Sequence, residues 1–160
     1  MRRITFNAAG AILAGGLVAG VLDISAVFGF WAVRGLPFDR ILQSIASSLL
    51  GREAYALGAA AAALGLALHF AVSFTFAAAY VAVSSRVRAL RTRPVVFGLA
   101  YGALAYVIMT FVVVPLSRAE FGDWPPPAIN LAASLFIHLV LFGLPIALAA
   151  SRIAAAPTRP

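Results

Sequence analysis

Four apolar segments of this sequence each carry a side chain that can give or take a proton. Asp23 lies in the first segment and His69 in the second. Tyr106 lies in the third and His138 in the fourth. Carboxyl, imidazole and phenol groups are the side chains that relay protons in proteins. A charged carboxyl at the centre of a bilayer costs at least about 2.5 kcal/mol, so Asp23 is expected to face protein or water rather than lipid.

The segments that hold these side chains are long enough to cross a membrane, because each exceeds the threshold of about 18 apolar residues. The chain of 160 residues is 63% hydrophobic and 11% charged, with a mean hydropathy of +1.01. That composition excludes an ordinary soluble domain. We therefore predict an all-α fold in one membrane domain, a bundle of four transmembrane helices. Their predicted bounds are about 8–33, 57–83, 95–116 and 128–150.

The connection between the first two spans is predicted to contain a shorter amphipathic helix over about 38–50. Its apolar residues recur at helical spacing and are Phe38, Ile41, Leu42, Ile45 and Leu49. About four turns are too few to cross a bilayer, so this helix is expected to lie in the outer interface or to cap the bundle. Both a packed connecting helix and a lipid-sensing role are compatible with the pattern.

The arginines predict the orientation of the chain in the membrane. Two precede the first span, four separate the second and third, and two follow the fourth, against four in the remaining two connections. The positive-inside rule then places both termini in the cytoplasm of a bacterial inner membrane. The net charge of +7 could suggest nucleic-acid binding, but the arginines lie between apolar runs, and attraction to anionic lipid explains them.

Several classes of protein are excluded or not indicated. The sequence has no cysteine, which excludes disulfides, thiol redox chemistry and thiolate metal sites. It has no nucleophile-elbow, phosphate-loop, zinc-protease or dinucleotide motif, so we predict neither an enzyme nor a cofactor. The first apolar run is too long for a signal peptide and contains Asp23, which favours an uncleaved anchor. Trp31, Tyr55 and Trp124 are expected at the outer interface, and the tail 152–160 is expected to be unstructured.

Small residues recur at four-residue spacing on three of the predicted spans. The pairs are Gly16 and Gly20, Gly58 and Ala62, and Gly98 and Gly102. Small residues allow two helices to approach closely in lipid, so these faces are expected to pack against other helices. Prolines near the ends of the last two spans, Pro115 and Pro145, are expected to kink them or to open backbone carbonyls.

Polar side chains extend the same helical faces. On the first span, Asp23 follows Gly16 and Gly20. The polar residues of the other three spans are His69, Ser73 and Tyr80 on the second, Tyr106 and Thr110 on the third, and Asn130, Ser134 and His138 on the fourth. The four proton-active groups each lie about ten to twelve residues from the outer end of their helix. At about 1.5 Å per residue, that places all of them roughly 15 Å deep. The sequence therefore predicts one polar layer near the middle of the membrane.

Three interpretations of this layer are open at the level of sequence. It can be a hydrogen-bonded structural plug, with interhelical contacts worth about 0.6 kcal/mol each. It can be a proton relay that serves transport, because imidazole titrates near neutrality. A metal site of two histidines and one carboxylate has suitable ligand types, although they come from three helices without a motif spacing.

The second half of the chain resembles the YagU-like bacterial inner-membrane proteins. The resemblance rests on the stretches LALHFAVSFTFAAAYVAVSSRV, GLAYGALAYVIMTFVVVPLS and LFIHLVLFGLPIALAASR. His69, Tyr80, Pro115 and His138 are the matching positions, and the similarity covers about residues 60–152. The first half, with its ILQSIASSLLG helix, departs from the family. The resemblance implies a multi-pass membrane protein with physiology linked to acid resistance, and it implies no particular activity.

Two functions follow as hypotheses. The first is a non-enzymatic membrane protein that works by interaction, in a homo-oligomer or as an accessory subunit. Its expected partners are the lipid bilayer and other membrane subunits, and no nucleic acid is expected to bind. The second is a small proton-coupled transporter or permease that uses Asp23 with His69 and His138. An outward-open cavity that reaches Asp23 favours transport, and a dry bundle of small residues favours interaction.

Overall fold

The computed structural model describes residues 6–119 and 126–153 and is an all-α membrane bundle, as predicted. Four helices are long and apolar enough to cross a membrane. These are α1 (Ala8–Ala32), α3 (Gly58–Ser84), α5 (Pro94–Leu116) and α6 (Ala128–Ser151). The shorter helices are α2 (Phe38–Leu50), a 3-10 turn at Gly51–Tyr55, and α4 (Arg88–Thr92). The bounds of the four spans and of α2 lie within one residue of the expected ones, whereas α4 and the 3-10 turn were not predicted. Trp124 and most of the tail lie outside the described residues.

Local chemistry explains where the helices begin and end. The Asn7 side chain accepts a hydrogen bond of 2.7 Å from the Gly10 amide and caps the start of α1. Gly35, with φ of 79°, and Gly51, with φ of 64°, follow α1 and α2 and take positive φ values that glycine adopts without steric cost. Pro94 begins α5, where its missing N–H costs no helical hydrogen bond.

The helices pack side by side in the order α2, α3, α1, α6, α5. The Tyr101 hydroxyl of α5 also donates to the Phe76 carbonyl of α3 at 2.8 Å, which joins the two ends of the row of spans. Helix α2 covers α3 at the end of the bundle where the C-terminus of α1 lies. The face of α1 between α3 and α6 is buried, and this face carries Asp23.

Glycine allows the closest contacts between helices. A Cβ atom at Gly65 would overlap the Leu42 carbonyl oxygen, which shows how closely α2 lies on α3. A Cβ atom at Gly143 would overlap the backbone of Gly98 and Gly102, where α5 meets α6. In lipid, such backbone proximity supplies the van der Waals packing that holds helices together.

The expected small-residue pair on α3 is placed differently. Gly58 starts the helix with φ of 56° and has no neighbour within 4 Å of an added Cβ, while Ala62 packs with Ile24 and Leu42. Gly65, one turn further on, makes the close contact instead. Regular spacing did not identify it, because the contact depends on the crossing point of α2.

Both late spans contain a stretch of wider π-helix just before a proline. These stretches are Met109–Val113 in α5, before Pro115, and Ile137–Gly143 in α6, before Pro145. Proline has no N–H and its ring crowds the preceding turn, and a π turn relieves both problems by adding one residue to the turn. The prolines therefore change which residues share a face over a full turn of each helix.

Candidate functional site within the membrane

Helices α1 and α3 are joined by two hydrogen bonds to backbone carbonyls. The Ser73 hydroxyl donates to the Gly16 carbonyl at 2.7 Å, and His69 Nε2 lies 2.8 Å from the Gly20 carbonyl. A Cβ atom at either glycine would run into the rings of Phe74 or Phe70. The two glycines therefore bring the α1 backbone close enough for side chains of α3 to reach it.

His138 lies in the π-helical stretch of α6 and contacts its own helix and α5. Its Nδ1 is 2.8 Å from the Ser134 carbonyl, one turn earlier. Its ring packs at 5.9 Å between centroids against both Tyr106 and Phe142. Tyr106 is itself buried, with 8% of its surface exposed. The structure therefore places His138 and Tyr106 together at the α5–α6 contact.

The hydrogen bonds indicate which nitrogen of each histidine carries the proton. A carbonyl oxygen only accepts, so His69 donates from Nε2 and His138 donates from Nδ1. In each neutral ring, the other nitrogen is then an acceptor that can take up a second proton. Both rings are thus held in place by one nitrogen while the other stays available for chemistry.

Asp23 is the buried carboxyl that links the two histidines. Only 8% of its surface is exposed, and within residues 6–119 and 126–153 its Oδ1 atom has no hydrogen-bond partner. The imidazoles of His138 and His69 both lie near enough to interact electrostatically with it. Ionisable side chains from α1, α3 and α6 therefore come together in the bundle. A buried carboxyl oxygen without a partner is costly, which marks this position as unusual.

Among residues 6–119 and 126–153, no three histidine or carboxylate side chains come close enough to hold a metal ion. The interpretation of the layer as a metal site therefore gains no support from this arrangement. One nitrogen of each histidine already donates to a carbonyl, so only the other could turn toward a ligand.

A cavity of about 500 Å³ lies beside this group, between α1, α5 and α6. His138, Ser134 and Asn130 line it as a polar row along one face of α6, and Thr110 of α5 adds a hydroxyl. The α1 wall is apolar and aromatic: Val27, Phe30 and Trp31. Asp23 precedes Val27 by one helical turn and so lies just below this wall.

Tyr80, which extends the polar face of α3 beyond the expected layer, lies away from this group. The Tyr80 hydroxyl donates to the Leu90 carbonyl at 3.0 Å, near the opposite end of the bundle from the cavity. Trp31, which was expected only as an interfacial anchor, lines the cavity together with Phe30. Aromatic residues near a span end are typical of interfaces, so composition did not distinguish the two roles.

The chain matches no protein-family model, and comparison with curated proteins and with solved structures finds no relative. The resemblance to YagU-like proteins therefore stays a prediction. Fold alone does not identify function, so the function has to be argued from the geometry of the site.

Proposed function

We propose that this multi-pass membrane protein is a small proton-coupled transporter or permease rather than an enzyme. The carrying observation is Asp23, whose buried Oδ1 has no partner and which interacts with His138 on the cavity wall and with His69 behind it. In this proposal the chain lies in a bacterial inner membrane with both termini in the cytoplasm. The 500 Å³ cavity then opens to the periplasmic side.

The proton chemistry follows from the cost of a buried charge. A lone carboxylate in this position is unfavourable, so Asp23 either binds a proton or pairs with a protonated imidazole. His138 Nε2 and His69 Nδ1 are the nitrogens that can accept that proton. Moving one proton among these three groups changes the charge just below the cavity. A ligand that prefers one charge state then exchanges binding energy with the proton.

The row on α6 supplies a route from the cavity to the buried groups. Asn130, Ser134 and His138 lie four residues apart and all line the cavity. Together with bound water, their side chains can form a chain of hydrogen bonds that conducts a proton from the mouth of the cavity to the imidazole. Below His138, the backbones of Gly98, Gly102 and Gly143 are in close contact and leave no room for a solute. Transport therefore requires α5 and α6 to move apart, and the π-helical stretches are the expected hinges.

The first test is the titration of both histidines by NMR in bilayers, with Asp23→Asn as the variant. We expect the NMR signals of the His138 ring to respond to pH and this response to change in the variant, because Asp23 and His138 interact electrostatically. Thr75→Val is a matched control, because the Thr75 hydroxyl donates to the Ala71 carbonyl within its own exposed turn. A His138 ring that does not respond to pH, or a response that is the same in Asp23→Asn, would contradict the proposal.

The second test is proton flux into liposomes that contain the protein and a pH-sensitive dye. We expect Asp23→Asn and His138→Gln to lose proton flux while both variants stay folded. His69→Gln separates structure from proton exchange, because glutamine can still donate to the Gly20 carbonyl but cannot titrate. If His69→Gln keeps full flux, the relay ends at Asp23 and His138.

A second candidate function is a non-enzymatic accessory or interaction role, in a homo-oligomer or with a membrane partner subunit. One observation favours it: His69 and Ser73 both bond to backbone carbonyls of α1, as polar groups do when they hold helices in register. This role predicts that Asp23→Asn is tolerated and that no pH dependence is lost. Nucleic acid is not proposed as a partner.

A further inference from the structure

A second hollow, at the opposite end of the bundle from the cavity, is an apolar groove of about 310 Å³. Its wall is formed by α3, α4 and α5 and includes Tyr80, Val83, Leu90, Phe97, Ala100 and Tyr101. Helix α4 lies across one end of this groove, and the other end runs along α3 and α5 into the membrane. The groove is separate from the Asp23 site and does not depend on the proposed function.

The groove offers almost no polar group to a ligand. The Tyr80 hydroxyl already donates to the Leu90 carbonyl at 3.0 Å, and the Tyr101 hydroxyl donates to the Phe76 carbonyl at 2.8 Å. The tyrosine rings therefore present hydrocarbon surface. A narrow apolar groove in a membrane protein suits an acyl chain better than a polar solute.

Arginines surround the end of the groove at α4. Arg86 lies just after the end of α3, and its amide donates to the Val83 carbonyl at 3.0 Å. Arg93 lies just before the start of α5, and its carbonyl accepts from the Phe97 amide at 3.2 Å. Both arginines are exposed. Arg91, next to Leu90 on α4, is half-buried, and its Nε atom has no hydrogen-bond partner.

These charges have no acidic partner among residues 6–119 and 126–153. Asp39 and Glu53 belong to α2 and the following turn, at the far end of the bundle, and Asp23 is buried within it. Within the part of the chain that the structure describes, the positive charge next to the groove is therefore uncompensated. An anion that also carries an apolar chain satisfies both features at once.

We propose that this groove binds an anionic phospholipid. One acyl chain lies in the groove between α3 and α5, and the phosphate contacts Arg86, Arg91 and Arg93. Guanidinium groups bind phosphate oxygens through paired hydrogen bonds, which gives Arg an advantage at such sites. Each basic residue near an anionic lipid adds about fivefold to its affinity, so two arginines account for about 25-fold.

The test is native mass spectrometry of the delipidated full-length protein, titrated with phosphatidylglycerol or phosphatidylcholine of the same acyl chains. We expect tighter binding of phosphatidylglycerol. The double variant R86Q/R93Q should weaken phosphatidylglycerol binding by about 25-fold and phosphatidylcholine binding much less, because choline offsets the charge of that lipid's phosphate. R34Q/R40Q is the charge-matched control, because it removes two arginines near the other end of the bundle.

The groove itself is tested with Ala100→Phe, which fills it without altering charge. We expect weaker binding of both lipids, while Ala82→Phe, on the exposed surface of α3 outside the groove, binds as the unaltered protein does. Equal affinity for the two lipids overturns the proposal, as does unchanged binding in Ala100→Phe or an equal loss in R34Q/R40Q. A dimer that disappears in Ala100→Phe would show that a second copy, rather than a lipid, occupies the groove.

Discussion

The substitution Gly102→Ala tests the contact that positions His138. An added Cβ would overlap the His138 carbonyl oxygen and lie 2.6 Å from the Cα of Leu139. Both obstacles are backbone atoms, so no side-chain rotation can relieve them. Nonbonded carbon atoms prefer about 3.5–4.0 Å, so α5 and α6 must separate locally by about 1 Å.

The expected cost is that of overpacking, about 1–3 kcal/mol. The change from glycine to alanine also favours the helix by up to about 1 kcal/mol, which partly hides this cost. Gly29→Ala provides the matched control: Gly29 lies in α1 with no atom within 4 Å of an added Cβ. Helix propensity then cancels between the two variants, and their difference in unfolding free energy measures the strain at the α5–α6 contact.

The assay is reversible unfolding in mixed micelles of mild detergent and SDS, followed by circular dichroism. We expect Gly102→Ala to be less stable than Gly29→Ala by about 1–3 kcal/mol. The same variant should also alter the NMR signals of the His138 ring, because the displaced carbonyl belongs to that residue. Equal stability of the two variants would refute the close packing of α5 on α6.

Three further predictions concern the remaining contacts. Ser73→Ala removes the hydrogen bond to the Gly16 carbonyl and should lower the unfolding free energy by about 0.6 kcal/mol in the same assay. In Gly65→Ala the added methyl group collides with the Leu42 carbonyl, so α2 should separate from α3. A single cysteine placed on α2 should then be labelled faster, and the label reports on that site alone because the chain has no cysteine of its own. Pro145→Ala should replace the π-helical stretch with regular α-helix and so shift the NMR signals of the His138 imidazole, which lies in that stretch. Unchanged signals would show that the proline does not cause the wider turn.

Much of the architecture was predictable because helices in lipid obey simple rules. A bilayer requires about twenty apolar residues per span, and backbone groups must bond within the helix. Apolar run length therefore indicated the four spans, and the amphipathic period indicated α2. The pairing of helices was harder to predict. Small residues are frequent in this chain, and only the crossing points decide that Gly65 makes a contact and Gly58 does not.

The candidate site was likewise predictable only in part. Residue type and depth singled out Asp23, His69 and His138, because ionisable groups are rare inside a membrane. The cavity was not predictable. Its wall combines Phe30 and Trp31 of α1 with polar groups of α6, and these residues meet only through tertiary packing.

The sequence alone predicts the set of helices and their approximate bounds, because these depend on hydrophobicity and local hydrogen bonding. It also shows that proton-active groups lie within them. The tertiary structure decided which groups meet. In a regular helix, His138 and Gly143 would not share a face, because five residues advance the helix by about 140° beyond one turn. The π-helical stretch before Pro145 brings both against α5, so that Gly143 packs on Gly102 while the His138 ring contacts Tyr106. Pro145 marks where the helix is disturbed, but which residues the wider turn brings against α5 depends on the packing between the two helices.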